Sequence, residues 1–239
     1  MTPFLPQHSW LDDAGLNRQH VFDLAALPAD LTAPLKPQPH ERQLLLFGHA
    51  GRRLWERVQA EGQGQAHTAH PIDSYSVRTV ATWLAQALPQ ARARFVFPGD
   101  HPIGLQRLGA LAGWHHASPF KVGIDPVWGT WFAYRAAILT DTALPPSAPV
   151  HTAHPCDTCV DKPCIAACGA GALAGGEFNF PACTAGRLAH ASPCALGCTA
   201  RSACPVGPEH RYADSQVRHS AAGSLAYIRQ HFGPRPHPG

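Results

Sequence analysis

All eight cysteines of this 239-residue chain lie between positions 156 and 204, and the first 155 residues contain none. Whatever the rest of the chain does, this stretch must fold around its thiols. Disulfides are the simplest use of an even number of cysteines, and small secreted domains depend on them. The amino-terminal stretch MTPFLPQHSWLDDAGLNRQH has no basic start, continuous apolar core or small-residue cleavage site, as a secretory signal would. No later segment reaches the roughly 18 uncharged apolar residues of a membrane span. The sequence therefore predicts a cytoplasmic protein with no membrane association, in which clustered thiols stay reduced and hold metal or carry out redox chemistry.

Apolar residues make up 45% of the chain, enough for a buried core. The formal charge is only +3, and Lys and Arg form no dense block or stripe, so the charge pattern predicts no nucleic-acid partner. The sixteen histidines are scattered, with no H-e-x-x-H pair on a helix, and read mainly as surface residues.

Before the cysteines, helical and strand patterns alternate. RQLLLFG (42–48) reads as a buried strand, and AGRRLWERVQA next spaces Leu54 and Val58 along one helix face. A glycine-rich turn follows. Asp73 is placed to cap a helix whose apolar positions are Val77, Val80, Ala81 and Leu84. ARFVFPGD (93–100) reads as a strand, GLQRLGALAGW (104–114) as a helix, and FKVGID (120–125) and TWFAYRAAILTD (130–141) as two more strands. This order predicts an α/β domain over 1–141 with a mixed sheet in two or three layers and some antiparallel pairing. GxGxxG and Walker sequences are absent. The turn in FGHAGRRLW reads as a tight turn, not a phosphate site. No Ser/His/Asp triad or carboxylate pair stands out, so the catalytic residues are unknown from sequence.

Residues 142–155, TALPPSAPVHTAHP, carry four prolines and read as an extended connector, since proline removes a backbone donor and disfavours helix before it. An iron–sulfur or zinc module over 156–208 and a helix with a tail over 209–239 complete the predicted organisation. Zinc commonly takes two short cysteine pairs, and only Cys156 and Cys159 form a true C-x2-C. A two-cluster ferredoxin instead runs three cysteines close together and a fourth that crosses to the other cluster. Cys156, Cys159 and Cys164 make the close set, Cys168 the crossing member, and Cys204, followed by Pro205, the reciprocal one.

The segments CDTCVDKPCIAACGAGAL, FPACTAGRL and CALGCTARSACPVG resemble the dicluster ferredoxin module of bacterial epoxyqueuosine reductases, and most of all a group of short ferredoxin-like relatives. The resemblance implies two [4Fe–4S] clusters, one on Cys156, Cys159, Cys164 and Cys204 and the other on Cys168, Cys183, Cys194 and Cys198. Gly169, Gly171, Gly175 and Gly176 would let backbone amides approach sulfur, and Lys162, Arg187 and Arg201 would offset the cluster charge.

GIDPVWGTWFAYRAAILTD (123–141) is similar to a Gly-x-Trp-Phe strand segment of epoxyqueuosine and cobalamin-processing reductases. That likeness implies a nitroreductase-like or related first domain holding a corrinoid, with Trp131, Phe132, Tyr134 and Arg135 as its candidate contacts. Alternation along a strand would turn Trp131 and Ala133 to one side and Phe132 and Tyr134 to the other. The expected function is single-electron transfer to a redox partner protein, a small-molecule acceptor or a cofactor in the first domain, as an oxidoreductase or a component of one. The alternative is a non-catalytic binding protein in which the cysteines form a structural iron–sulfur or zinc site.

Overall fold

The computed structural model describes residues 5–62 and 70–233. The expected glycine-rich turn after the 53–62 helix lies outside these residues, as does the end of the tail. The chain divides into two units, residues 1–115 with 132–152 and residues 116–131 with 153–239. Residues 116–131, expected in a first domain spanning 1–141, thus group with the cysteine-bearing part.

The first unit begins with helix α1 (His8–Asp13) and strand β1 (Arg18–Asp23), followed by a short helix α2 (Ala29–Thr32). Strand β2 (Gln43–Ala50) then leads into helices α3 (Arg53–Gly62) and α4 (Pro71–Ala87), strand β3 (Ala93–Phe97) and helix α5 (Leu105–Leu111). The chain next makes two short strands of the second unit, β4 (His116–Ala117) and β5 (Gly123–Ile124), and returns to the first in strand β6 (Phe132–Thr140). Four strands in the order β1-β2-β6-β3 form one sheet.

Every pairing in that sheet is antiparallel, which corrects the mixed sheet expected from sequence. β2 and β3 flank β6 and both oppose it, so they run the same way, joined through two helices instead of a hairpin. Alternating helices and strands suggested parallel neighbours, but β6, which arrives last, inserts between them. All eight residues of β2 are buried, the mark of a central strand covered on both faces. Leu44 and Leu46 of β2, with Ala137 and Leu139 of β6, pack with Leu31, Leu108 and Trp114. On the opposite face Phe47 meets Trp83 of α4, ring centroids 5.6 Å apart. Helices therefore lie on both faces of the sheet, giving three layers.

Asp73 sits in the first turn of α4, which starts at Pro71 after His70, and is not its cap. An acidic residue there still favours the helix by facing the positive end of its dipole. The buried face is Ile72, Tyr75, Ser76, Thr79, Val80 and Trp83, rotated from the expected Val77, Val80, Ala81 and Leu84. Trp83 decides the rotation. Its ring buries more apolar area than any aliphatic on the helix, and its indole N–H donates to the Pro6 carbonyl at 2.7 Å.

The second unit contributes β4 and β5, which pair antiparallel, and helices α6 (Pro163–Ala166), α7 (Phe180–Leu188), α8 (Thr199–Ser202) and α9 (Asp214–Phe232). FKVGID was expected as a strand over 120–125, and only Gly123 and Ile124 pair as one. Phe120 instead turns into a small core with Cys164, Leu173 and Ala200. Among the described residues no helix is long and apolar enough to cross a membrane.

Candidate metal centre

The cysteine segment is mostly short helices and turns: Cys164 lies within α6 and Cys183 within α7, Cys198 precedes α8, and Cys168 and Cys204 follow α6 and α8. α7 is the most regular of them. Asn179 caps it by accepting from the Ala182 amide at 2.9 Å, and Pro181 in its first turn has no N–H to leave unsatisfied. Cys183 and Arg187 lie four apart on this helix and so share a face.

All eight thiols are free. Cys164, Cys194 and Cys204 are buried, Cys198 is exposed as a residue, and the other four are intermediate. Burial is the first cause pushing the Cys156 thiol up, and the negative charges of Cys204, Cys164 and Cys159 follow, opposed by Lys162. Burial likewise raises Cys164, with Cys204 and Cys159 adding to it. Cys204 is raised by burial and by Cys159, against the amide of Val206 and the charge of Arg211. In the other set, burial raises Cys183 first. Cys198, Cys168 and Cys194 reinforce that rise, and Arg187 opposes it. Cys198 is raised by desolvation and by Cys194, with Arg201 opposing. Cys204, Cys164 and Cys159 thus bear on the thiols of the first set, and Cys198, Cys194 and Cys168 on those of the second.

A cavity of about 300 Å³ lies within the second unit, lined by Cys168, Cys183, Cys194 and Cys198 together with Phe120, Trp131, Arg187 and Arg201. Gly169 stands at its edge, where an added Cβ would come 3.4 Å from Cys194 Sγ. Its amide donates to Thr199 Oγ1 at 3.2 Å. Arg187 spans the cavity wall, donating to Ser224 Oγ at 2.7 Å and to the carbonyls of Ala221 at 3.0 Å and Ala195 at 3.3 Å. Its Nε is buried and has no acceptor among the described residues. Four soft sulfur donors, apolar walls and an unspent cationic N–H suit an anionic iron–sulfur group. No group of three or more His, Cys, Asp or Glu side chains among the described residues is arranged to hold a single metal ion.

Residues 116–131 complete this unit. Asp125 accepts from the amides of Val127 and Trp128 at 2.8 and 3.0 Å, an Asx turn closed by the paired Asp125 and Gly129 backbones. Gly129 has φ of 58°, and a Cβ there would lie 2.1 Å from the Val206 carbonyl oxygen, two residues beyond Cys204. Only glycine allows that approach.

The four candidate cofactor contacts divide. Trp131 belongs to the second unit, 2% exposed, with its ring 5.4 Å from that of Tyr212. Phe132, Tyr134 and Arg135 belong to the first. The Phe132 and Tyr134 rings are 6.1 Å apart. Tyr134 meets His115 Nδ1 at 3.2 Å, and burial raises its hydroxyl pKa. Gly48 pairs with Tyr134 and Phe47 with Ala136, so Arg135 is the extra residue of a β-bulge. Its Nε donates to His49 Nδ1 at 2.8 Å, and Asp73 lies 3.9 Å away.

Sequence reasoning did not find the role of residues 116–131 or the bonds from Arg187 to α9. An Asp-Pro step followed by glycine marked the Asx turn, and the four-residue spacing from Cys183 placed Arg187 on the thiol side of its helix. Neither signal says what lies opposite.

No protein-family model matches this chain. No curated protein matches it by sequence. Among solved structures the fold is that of epoxyqueuosine reductases. One of these, crystallised with an epoxyqueuosine-modified tRNA-Tyr stem loop, superposes with a TM-score of 0.54 at 12% identity over 88% of this chain and 67% of that one. The Bacillus subtilis enzyme gives 0.53 at 12% identity over 86% and 66%. A weaker likeness, TM-score 0.47 at 13% identity over 88% of both chains, is to the C. elegans B12-trafficking protein CblC. The present chain spans about two thirds of the length of the epoxyqueuosine reductases it matches.

Proposed function

We propose that this chain is an iron–sulfur redox protein with two [4Fe–4S] clusters, one on Cys156, Cys159, Cys164 and Cys204 and one on Cys168, Cys183, Cys194 and Cys198. The observation that carries this reading is the cavity lined by Cys168, Cys183, Cys194 and Cys198, with the buried, unpartnered Nε of Arg187 on its wall, beside four further free thiols in the same unit. Thiols gathered in a desolvated place repel one another on ionisation, and a multivalent cationic core is what relieves the repulsion. Bound clusters would supply one-electron chemistry. The chain desolvates them with Phe120, Leu173 and Ala200 and balances their charge with Lys162, Arg187 and Arg201. A ferredoxin-like second unit and a nitroreductase-like first unit are the fold relations this reading carries with it.

Electrons would pass to a redox partner protein, a small-molecule acceptor, or a corrinoid or other flat cofactor held by the first unit. The last rests on the GTWFAYR segment, with Phe132, Tyr134 and Arg135 as the contacts offered there and Trp131 as the adjoining residue. The charge-based expectation of no nucleic-acid partner stands against the tRNA stem loop seen with one structural neighbour, so RNA is among the ligands to try.

Anaerobic preparation tests the reading. The protein is expected to be brown, with about eight irons and eight acid-labile sulfides per chain, the sum for two four-iron clusters. Stoichiometric zinc without labile sulfide overturns it. Titration of the loaded protein with cobalamins, flavins and an RNA stem loop then selects the ligand. No spectral shift or binding heat with any of them leaves an electron carrier that works through a partner protein.

A further inference from the structure

Arg187 holds the second unit together with more of its guanidinium than a surface arginine commits. Nη1 reaches Ser224 and Nη2 reaches the Ala195 and Ala221 carbonyls, so the fork is fixed by α9 on one side and by the 194–198 loop on the other. This fixing leaves Nε–H buried with no acceptor among the described residues. A buried N–H of a charged group without a partner is costly and asks for an acceptor that the described residues do not supply. The same residue lines the cavity bounded by Cys168, Cys183, Cys194 and Cys198.

Resting on the two-cluster reading, we propose that Arg187 is a positioning residue for the second cluster, its Nε–H donating to a thiolate or sulfide sulfur and setting that cluster's reduction potential. Reduction adds one electron to the cluster and breaks no bond. The added negative charge strengthens a hydrogen bond from a fixed cationic donor, so the reduced form gains more from Arg187 than the oxidised form does. Because α9 holds the guanidinium, Ser224 and the Ala221 carbonyl form part of the same device.

Arg187→Gln and Arg187→Lys, prepared anaerobically, are titrated with dithionite and followed by electron paramagnetic resonance. The second cluster is identified as the signal that Cys183→Ala removes. At a fixed solution potential its reduced-to-oxidised ratio is expected to fall about tenfold in Arg187→Gln, which for a one-electron couple is about 59 mV, with the first cluster unmoved. Arg187→Lys, which keeps the charge and loses the fork, should recover only part. An unchanged ratio in a fully loaded Arg187→Gln overturns the proposal. If the variants do not load the second cluster, wild-type protein labelled with 15N-arginine decides the matter. Hyperfine coupling of an arginine nitrogen to the reduced second cluster supports the hydrogen bond, and its absence overturns it. Wild-type protein without iron and sulfide would defeat the two-cluster reading itself, whereas two clusters without the coupling defeat only the role of Arg187.

Discussion

The guanidinium carbon of Arg201 lies 4.5 Å from the centroid of the Trp131 ring. Tyr212 is on it as well, at 5.0 Å, and Nη2 donates to the Thr130 carbonyl at 2.5 Å. Arg201 belongs to α8, between Cys198 and Cys204, so this stack fastens residues 116–131 to the cysteine segment. Arg201→Gln is expected to cost about 1–3 kcal/mol of stability through the lost cation–π contact and charged hydrogen bond. Trp131 emission should shift to the red, read as the difference between otherwise identical proteins with and without Trp131→Phe. Unchanged melting and emission would show the stack to be incidental.

Cys204→Ala should remove the cluster assigned to Cys156, Cys159 and Cys164 while leaving the other, despite the thirty-nine residues between Cys164 and Cys204. A ligand that closes so long a loop contributes to folding as well as to binding, since its loss frees the segment between. Iron should fall by about half and thermal stability should drop. Retention of eight irons with unaltered spectra would show the ligand sets to be wrong.

His20 lies 4% exposed between Phe22 and Trp114, with ring centroids 4.3 and 6.1 Å away. Burial lowers its pKa to about 4. The unfolded chain therefore takes up a proton between the ordinary histidine value near 6.5 and this lowered one, while the folded chain does not. Stability from this site is complete above about pH 6.5 and is lost as pH falls toward 4, by roughly 3 kcal/mol in all. Urea midpoints of His20→Phe measured from pH 7 to 4 should show a shallower decline than wild type. Parallel curves would place the acid sensitivity elsewhere.

Gly109 of α5 is where Tyr134 crosses the helix, and a Cβ there would lie 1.7 Å from the tyrosine hydroxyl. Gly109→Ala is expected to destabilise the first unit by about 1–3 kcal/mol through overpacking, although alanine is the better helix former. Combining it with Tyr134→Leu should recover part of the loss, a non-additive coupling between touching residues. Additive losses in denaturant melts would mean that the ring moves aside freely.

The strand at 42–48, the helix from residue 53 and the strands near 93 and 132 could be read directly, because apolar period and turn residues are local properties. Sheet direction could not. Nothing in TWFAYRAAILTD tells it to enter between two strands already connected by helices. The face of α4 was misread for a related reason, since periodicity picked out Val77, Val80, Ala81 and Leu84 and passed over Trp83, whereas volume and an indole hydrogen bond decided the rotation. That the cysteines belong together in one unit was legible, because their clustering between 156 and 204 is a property of the sequence itself. Arg187 and residues 116–131 were only half legible, since their partners lie far along the chain.

The backbone passes between the two units three times, after residues 115, 131 and 152. A cut in the proline-rich connector would therefore leave Phe120, Asp125, Gly129 and Trp131 on the wrong fragment, and the detached cysteine segment would lack part of its wall. Such a segment cannot be shuffled between genes as a cassette, nor fused behind another enzyme as a ready-made electron supply. Its inheritance is tied to that of the domain that surrounds residues 116–131 in sequence.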